Sequence, residues 1–257
     1  MVGGGLGTLV VILVALYFGI DPTFLLQGME TVRVDAPASR GGVPADDPLA
    51  EFVSVVLADT EDVWHAEFRR AGRTYREPTL VLFSGRVASA CGLGQAAMGP
   101  FYCPADEQVY IDLGFYRELR ERFRAPGDFA QAYVIAHEVG HHVQHLLGIS
   151  EQVQSLRRRA SEREANALSV RLELQADCLA GLWANRADRM HELLEQGDVE
   201  EGLRAASAIG DDTLQRQAGG QVVPDSFTHG SSAERVRWFR RGLEAGAIEA
   251  CDTFAAG

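Results

Sequence analysis

The feature that most constrains the fold of this chain is an H-E-x-x-H motif at residues 137–141, within a proline-free run from 129 to 147. Apolar residues recur in that run at helical spacing, and Gly148 stands where a left-handed C-terminal cap is expected. The pattern predicts a helix of about five turns. His137 and His141 are four residues apart and share one face, while Glu138 lies about 100° around the helix.

Two histidines at this spacing can bind one metal ion, and the glutamate between them can act as general base on a water at that ion. His141 and His145 are also four residues apart, but only the first pair encloses a glutamate at the second position. We therefore predict His137 and His141 as ligands and Glu138 as the catalytic base. His142 and His145 are expected to support the site or to lie at the surface.

A third ligand is predicted from the stretch 173–178, where Glu173 and Asp177 share a helical face in an increasingly apolar run. Two acids on an apolar face are explained if Glu173 binds the metal and Asp177 accepts a hydrogen bond from a metal-bound histidine. Two alternatives remain open, a solvated acidic pair and Asp177 as the ligand. Two imidazoles and one carboxylate suit Zn²⁺ best.

Composition limits the class of protein. The 257 residues are 46% hydrophobic, which is enough for a sizeable core, and we predict one domain over residues 49–257. The net charge of −12 argues against a nucleic-acid partner, which requires a basic face.

The N-terminus is uncharged over residues 1–20 and nearly all apolar from 6 to 20, before Asp21 and Pro22. This run approaches the roughly 20 residues that cross a bilayer. We predict a membrane anchor over 1–27 and a flexible Pro-, Ala- and Gly-rich linker over 28–48. A buried core helix and a cleaved signal peptide are the alternatives, and the charge pattern leaves the orientation undecided.

The remaining pattern predicts an α+β, predominantly helical domain with a small antiparallel or mixed sheet. Residues 49–71 are typical of a helix, and 79–83 and 109–113 are the strand candidates, separated by a Gly-rich segment. The strand before the motif helix is expected either to expose an edge that pairs with an extended peptide or to be covered on both sides.

Four cysteines, Cys91, Cys103, Cys178 and Cys251, lack the C-x-x-C spacing of a structural zinc site. Disulfides formed in an oxidising compartment are the favoured interpretation, and free buried thiols are the alternative. Cys91 with Cys103 would close a short loop. Cys178 with Cys251 would attach the C-terminus to the predicted third-ligand helix.

Residues 198–201 and 231–234 both resemble capping boxes that begin helices. His229 lies just before the second box. It is predicted either to donate a hydrogen bond to the oxyanion of a tetrahedral intermediate or only to satisfy its own turn.

Taken together, the chain resembles the bacterial neutral zinc metallopeptidases, single-pass membrane proteins with an extracytoplasmic catalytic domain. The matching motifs lie at 19–22, 89–92, 99–104, 137–144, 173–178, 209–212, 227–232 and 251–254. The resemblance implies a zincin-type fold, a Zn²⁺ cofactor and peptidase activity on polypeptides. The Glu-x-x-Ala-Asp arrangement is also similar to that of membrane-bound metallopeptidases of the prenyl-protein-processing type, in which the glutamate is a ligand.

The favoured function is therefore zinc-dependent hydrolysis of peptide bonds. One alternative is a non-catalytic, membrane-anchored scaffold whose metal site is closed by a fourth ligand, for which His142 and Asp177 are the candidates. A second alternative is a metal-dependent hydrolase that acts on another kind of bond.

Overall fold

Helices dominate the described part of the chain, which in this computed structural model comprises residues 47–95 and 99–255. Within these ranges the α-helices are α1 (Pro48–Arg70), α2 (Phe115–Glu121), α3 (Asp128–Leu146), α4 (Ile149–Arg157), α5 (Glu162–His191), α6 (Asp198–Ala208), α7 (Asp211–Gln217) and α8 (Ser232–Ala245). Short 3₁₀ turns cover Pro224–Ser226 and Ile248–Cys251. The predicted motif helix is α3, and Gly148 after it has the expected positive φ of 76°.

The strands are short and form two sheets. They are β1 (Thr79–Phe83), β2 (Arg86–Ser89), β3 (Gly92–Gln95), β4 (Phe101–Cys103) and β5 (Gln108–Asp112). In the first sheet the order is β1-β5-β4, with β1 parallel and β4 antiparallel to β5. β2 and β3 form a separate antiparallel hairpin. A small mixed sheet in a mainly helical chain confirms the predicted α+β class.

The strand before the motif helix does not expose an edge, so the first of the two alternatives is wrong and the strand covered on both sides is confirmed. This strand, β5, is central because β1 pairs along its whole length on one side and β4 pairs on the other. Within the described residues β1 and β4 each have one neighbour and are the two edge strands of this sheet. The Gly-rich segment that separates the two predicted strands contains β4 itself.

α3 lies in the core because its apolar residues surround the helix instead of forming one stripe. It packs against α1, α5 and α6 and also contacts β4 and β5. Phe129, in its first turn, stacks on Trp183 of α5 with ring centroids 6.0 Å apart. A helix packed on so many sides holds its motif side chains in fixed positions.

α5 and α8 approach each other closely at two glycines. A Cβ on Gly181 would lie 2.0 Å from a backbone carbonyl oxygen of α8, and one on Gly242 would lie 1.9 Å from the Cys178 carbonyl oxygen. Only glycine allows this approach, because every other residue adds at least a methyl group. The contact fixes α8 against the middle of α5, which contains the predicted third ligand.

One of the two predicted capping boxes is present. The Ser231 side chain accepts from the Glu234 backbone N–H and the Glu234 side chain accepts in return, at the start of α8. The predicted box at 198–201 is wrong, because Gly197 is the N-cap residue of α6. The Asp198 carboxylate instead accepts from the Glu195 backbone N–H.

All four cysteines are paired. Cys91 is bonded to Cys103 and Cys178 to Cys251. The first disulfide joins the turn of the β2–β3 hairpin to β4, and the second joins α5 to the C-terminal 3₁₀ turn. Free buried thiols are therefore excluded.

The predicted anchor (residues 1–27) lies outside the described residues, as does the predicted linker (28–48) up to residue 46. Asp47 caps α1, which begins at Pro48. Among the helices of the described ranges, none combines the length and the apolar character required to cross a bilayer. The described residues all belong to one compact unit, residues 41–257.

Candidate metal centre and active site

The three predicted ligands lie together between α3 and α5. His137 Nε2 is 3.2 Å from one carboxylate oxygen of Glu173, and His141 Nε2 is 3.5 Å from the other. One donor atom from each residue lies within 4.8 Å of the other two donors. The spacing of four residues brings both imidazoles to the side of α3 that faces α5.

Asp177 fixes the tautomer of His137. Its fully buried carboxylate lies 2.9 Å from His137 Nδ1. Because a carboxylate only accepts hydrogen bonds, Nδ1 carries a proton, and Nε2 is therefore the nitrogen that would offer its lone pair to a metal. The structure thus places Asp177 beside a predicted ligand, in the position that the sequence analysis assigns to it.

Gln144 does the same for His141. The His141 Nδ1 lies 2.9 Å from Gln144 Oε1, and Gln144 Nε2 donates to the Leu172 carbonyl oxygen at 2.7 Å and to Gln175 Oε1 at 3.0 Å. The two acceptors identify the amide nitrogen, so Oε1 is the atom that faces His141. His141 Nδ1 therefore donates, and its Nε2 is free to bind a metal. Both histidines fit the donor set that Zn²⁺ requires.

A buried arginine balances the charge of Asp177. Arg235, on α8, donates from Nε and from one terminal nitrogen to the two Asp177 oxygens, both at 2.9 Å. The Tyr133 hydroxyl also donates to Asp177. Both carboxylate oxygens are thus occupied, which argues against the alternative in which Asp177 is itself the ligand.

The local charge favours a cation. Burial disfavours a charge on His137, but the hydrogen bonds to Asp177 and Glu173 raise its pKa to about 10. Burial also opposes the charge of Glu173, yet the neighbouring His141 and His137 hold its pKa well below the usual value. Since these carboxylates stabilise a positive charge between the helices, the same position suits a divalent metal ion.

His142 is not available as a fourth ligand. Its Nε2 donates to the Arg76 carbonyl oxygen at 2.6 Å, and its Nδ1 accepts from the Tyr102 hydroxyl at 2.9 Å. Burial lowers the pKa of His142, consistent with a neutral ring. This histidine joins α3 to β4 and to the segment before β1. His145 also lies away from the ligands, with Nδ1 2.7 Å from Glu151.

A cleft of about 1410 Å³ opens over the three ligands. Glu138 lines it and is 8% exposed. β4 and the segment between α2 and α3 form part of its wall, to which Phe101, Tyr102 and Phe123 contribute aromatic side chains. The cleft is large enough for several residues of an extended peptide.

His229 lines the same cleft and is held by Asp211. The Asp211 carboxylate accepts from the backbone N–H groups of Thr228 and His229, at 2.7 and 2.6 Å, and lies 3.2 Å from His229 Nδ1. The hydrogen bond to Asp211 raises the pKa of His229, although burial opposes the charge. Within the described residues His229 Nε2 has no hydrogen-bond partner. Because Asp211 accepts from Nδ1, Nε2 donates only when the ring is protonated, which the raised pKa favours.

The predicted residues His137, Glu138, His141, Glu173 and His229 therefore line one cleft, with Asp177 behind it. Sequence reasoning missed Gln144, Arg235, Tyr133 and Asp211. The positions of Gln144 and Tyr133 could have been predicted to lie near the site, since each is one helical turn from a motif histidine on the same helix. Arg235 and Asp211 come from distant segments and carried none.

Comparison with known proteins agrees with this geometry. The family model described as "Putative neutral zinc metallopeptidase" matches residues 1–254. "Uncharacterized protein YpfJ" of Escherichia coli (strain K12) is 53% identical over 251 residues, which cover 98% of this chain and 86% of that protein. "Uncharacterized protein Mb2605" of Mycobacterium bovis is 39% identical over 259 residues, covering 94% of this chain and 85% of that protein. No solved structure matches the chain.

The match extends from the apolar N-terminus to the last disulfide, well beyond the H-E-x-x-H motif. The group formed by His137, His141 and Glu173 is consistent with the zinc ion that the family name implies. The chain belongs to the neutral zinc metallopeptidase family.

Proposed function

We propose that this protein is a zinc-dependent endopeptidase in which His137, His141 and Glu173 bind the metal. The proposal rests on the number of ligands. A structural zinc site is closed by four protein ligands, whereas a catalytic site has three and an open position. Within the described residues, the two candidates for a fourth ligand, His142 and Asp177, have their polar atoms engaged elsewhere. His137, His141 and Glu173 all line the cleft, from which water and substrate would reach a bound ion.

Glu138 is the proposed general base. A bound zinc ion would polarise the scissile carbonyl group and acidify a water molecule. Glu138 accepts the proton of the attacking water and then passes it to the nitrogen of the leaving amine. His229, oriented by Asp211 and in its protonated form, donates a hydrogen bond to the carbonyl oxygen as negative charge develops there.

β4 is the proposed surface for the substrate backbone. It is one of the two edge strands of its sheet within the described residues, and its Phe101 and Tyr102 line the cleft, whereas no residue of β1 does. An extended peptide paired with this edge would gain backbone hydrogen bonds that do not depend on its sequence. The bond to His142 keeps Tyr102, and hence β4, against the motif helix.

The proposed location is extracytoplasmic, with the chain anchored once in a membrane by residues 1–27. Two disulfides support an oxidising compartment, because cytosolic thiols are kept reduced. The uncharged N-terminal run supports the anchor.

Replacing Glu138 tests the proposed activity. The full-length chain, the Glu138→Gln variant and a Glu200→Gln control on the exposed side of α6 are purified and assayed for zinc content and for cleavage of casein. We expect one zinc per chain in all three proteins. Cleavage should fall by about 10² to 10⁴-fold in Glu138→Gln alone, because general base catalysis contributes about that much.

An active Glu138→Gln variant would contradict the role of Glu138. Normal zinc content without cleavage of casein in any of the proteins would favour the metal-binding scaffold, and a panel of ester and amide substrates would then reveal a hydrolase for another bond. Absence of zinc from the wild type would contradict the ligand assignment.

A further inference from the structure

Among the described residues three arginines line the cleft, and one of these has no acidic partner there. Arg235 is bound to Asp177, and Arg122 lies 3.5 Å from Glu118. Arg124 also lines the cleft and is exposed. No ion pair of the described residues includes Arg124.

The backbone of Arg124 is unusual. Its φ is 53°, in the left-handed region, just after α2 ends. At the C-terminus of a helix this conformation normally belongs to glycine, because a Cβ is disfavoured there. Only Glu107 and Glu192 share it among the other non-glycine residues of the described ranges. The chain therefore keeps an arginine where glycine would be more stable, and a strained residue in a cleft indicates a use for its side chain.

The cleft that Arg124 lines also contains aromatic and acidic side chains. Phe101, Phe115 and Phe123 contribute to its wall, and so do the carboxylates of Glu118, Glu138, Glu151 and Glu173. The whole chain has a net charge of −12, so a carboxylate group meets repulsion from much of the protein surface. An unpaired guanidinium in the cleft supplies a local attraction, and its planar donors match a carboxylate.

We propose that Arg124 forms a carboxylate-binding subsite of the cleft. The protein would then prefer peptides with an acidic side chain, or with a free C-terminal carboxylate, close to the cleaved bond. This inference deepens the proposed peptidase function and rests on it. A side-chain carboxylate and a C-terminal carboxylate would interact with the guanidinium in the same way, so an experiment must distinguish them.

The test compares three single variants in the full-length chain. Arg124→Gly removes the side chain and relieves the backbone, and Arg124→Lys keeps the charge. Glu192→Gly is the matched control, because Glu192 has the same left-handed conformation at the end of α5 but does not line the cleft. The substrates are decapeptides with Glu or Gln at each position in turn, each made as a free acid and as a C-terminal amide.

Cleavage is followed by mass spectrometry, and binding of the same peptides is measured with the zinc-loaded Glu138→Gln variant, with and without Arg124→Gly. We expect the wild type to prefer one carboxylate-bearing form by about three- to tenfold in kcat/KM, as for a partly exposed ion pair. Arg124→Gly should reduce this ratio to about one, Arg124→Lys should retain part of it, and Glu192→Gly should leave it unchanged. Both glycine variants should raise the urea midpoint of unfolding.

A preference for Glu over Gln would identify a side chain as the ligand, and a preference for the free acid over the amide would identify the chain terminus. Cleavage without either preference, or a preference that survives in Arg124→Gly, would overturn the proposed subsite but leave the peptidase function intact. Selective binding to Glu138→Gln without cleavage by the wild type would overturn the peptidase function but not the subsite. If the peptides were neither bound nor cleaved, both the subsite and the peptidase function would be overturned.

Discussion

At the scale of single residues, Asp177 combines two tasks. Its carboxylate holds the proton on His137 Nδ1, and it also neutralises the buried Arg235 through two hydrogen bonds of 2.9 Å. Neither partner is accessible to solvent to any large extent, since Arg235 is 2% and His137 6% exposed. A change at this position should therefore affect metal binding and folding together.

Asp177→Asn should reduce zinc affinity by about 10- to 100-fold, because the outer partner of a ligating histidine contributes that much. It should also lower the free energy of unfolding by about 3–5 kcal/mol, since Arg235 would be left as an uncompensated buried charge. Competition with a chromophoric chelator and urea unfolding measure the two effects.

Asp225→Asn is the control for this variant. Asp225 forms an exposed pair with Arg163 at 3.3 Å, so its loss should cost about 0–1 kcal/mol. If Asp177→Asn bound zinc like the wild type, Asp177 would not orient His137. If it unfolded like Asp225→Asn, Arg235 would not depend on Asp177 for its charge balance.

The residues that could be predicted from sequence are those whose relation is local. His137 with His141 and Glu173 with Asp177 are each one helical turn apart, so their shared faces follow from the helix period alone. Arg235 reaches Asp177 across 58 residues of chain, and Asp211 reaches His229 across 18. Nothing in the spacing of these pairs shows that the fold brings them together.

At the scale of elements, the contact between α5 and α8 controls the position of Arg235. Gly181 and Gly242 allow the two backbones to touch, so each helix determines where the other lies.

The strands show how much of the arrangement of elements can be predicted from the sequence. The sequence pattern identifies β1 and β5, but not their parallel pairing, because a long connection separates them. It does not identify β4, because this strand has only three residues, Phe101–Cys103, and lies in a Gly-rich segment.

Gly242→Ala should destabilise the protein by about 1–3 kcal/mol or more, because its Cβ would overlap the Cys178 carbonyl oxygen and force the helices apart. At an uncrowded helix position the same change would stabilise by about 1 kcal/mol. Gly202→Ala is a control with a smaller expected effect. Its Cβ would lie 3.0 Å from the Phe129 side chain and 3.1 Å from the Phe239 side chain, and these nearest neighbours are side-chain rather than backbone atoms. Urea unfolding should rank Gly242→Ala as the less stable variant, and the reverse order would contradict a backbone contact.

At the scale of the whole molecule, the two disulfides restrict very different lengths of chain. Cys91–Cys103 spans 12 residues, whereas Cys178–Cys251 spans 73 and joins α5 to the C-terminus. The sequence favours disulfides because the cysteines lack the spacing of a zinc motif, but that spacing leaves the connectivity open, and the fold decides it. The longer loop should restrict the unfolded chain more strongly.

Replacing Cys178 and Cys251 together by serine should lower the free energy of unfolding by about 4 kcal/mol, and replacing Cys91 and Cys103 by about 3 kcal/mol. Urea unfolding of both double variants and of the wild type, each under oxidising conditions, tests this order. Equal losses, or a larger loss for the short loop, would show that loop closure is not the main contribution of these bonds.

Two separate stretches of the chain form the wall of the cleft. The proposed metal ligands and the residues around them come from 133–235, whereas β4 and the arginine segment after α2 come from 99–124. On the proposed peptidase function, substitutions in the earlier segment would alter which polypeptides are accepted while the three ligands stay in place. Such separation would make the protein evolvable, because new targets could be acquired through changes in one short stretch while the metal site stays constant.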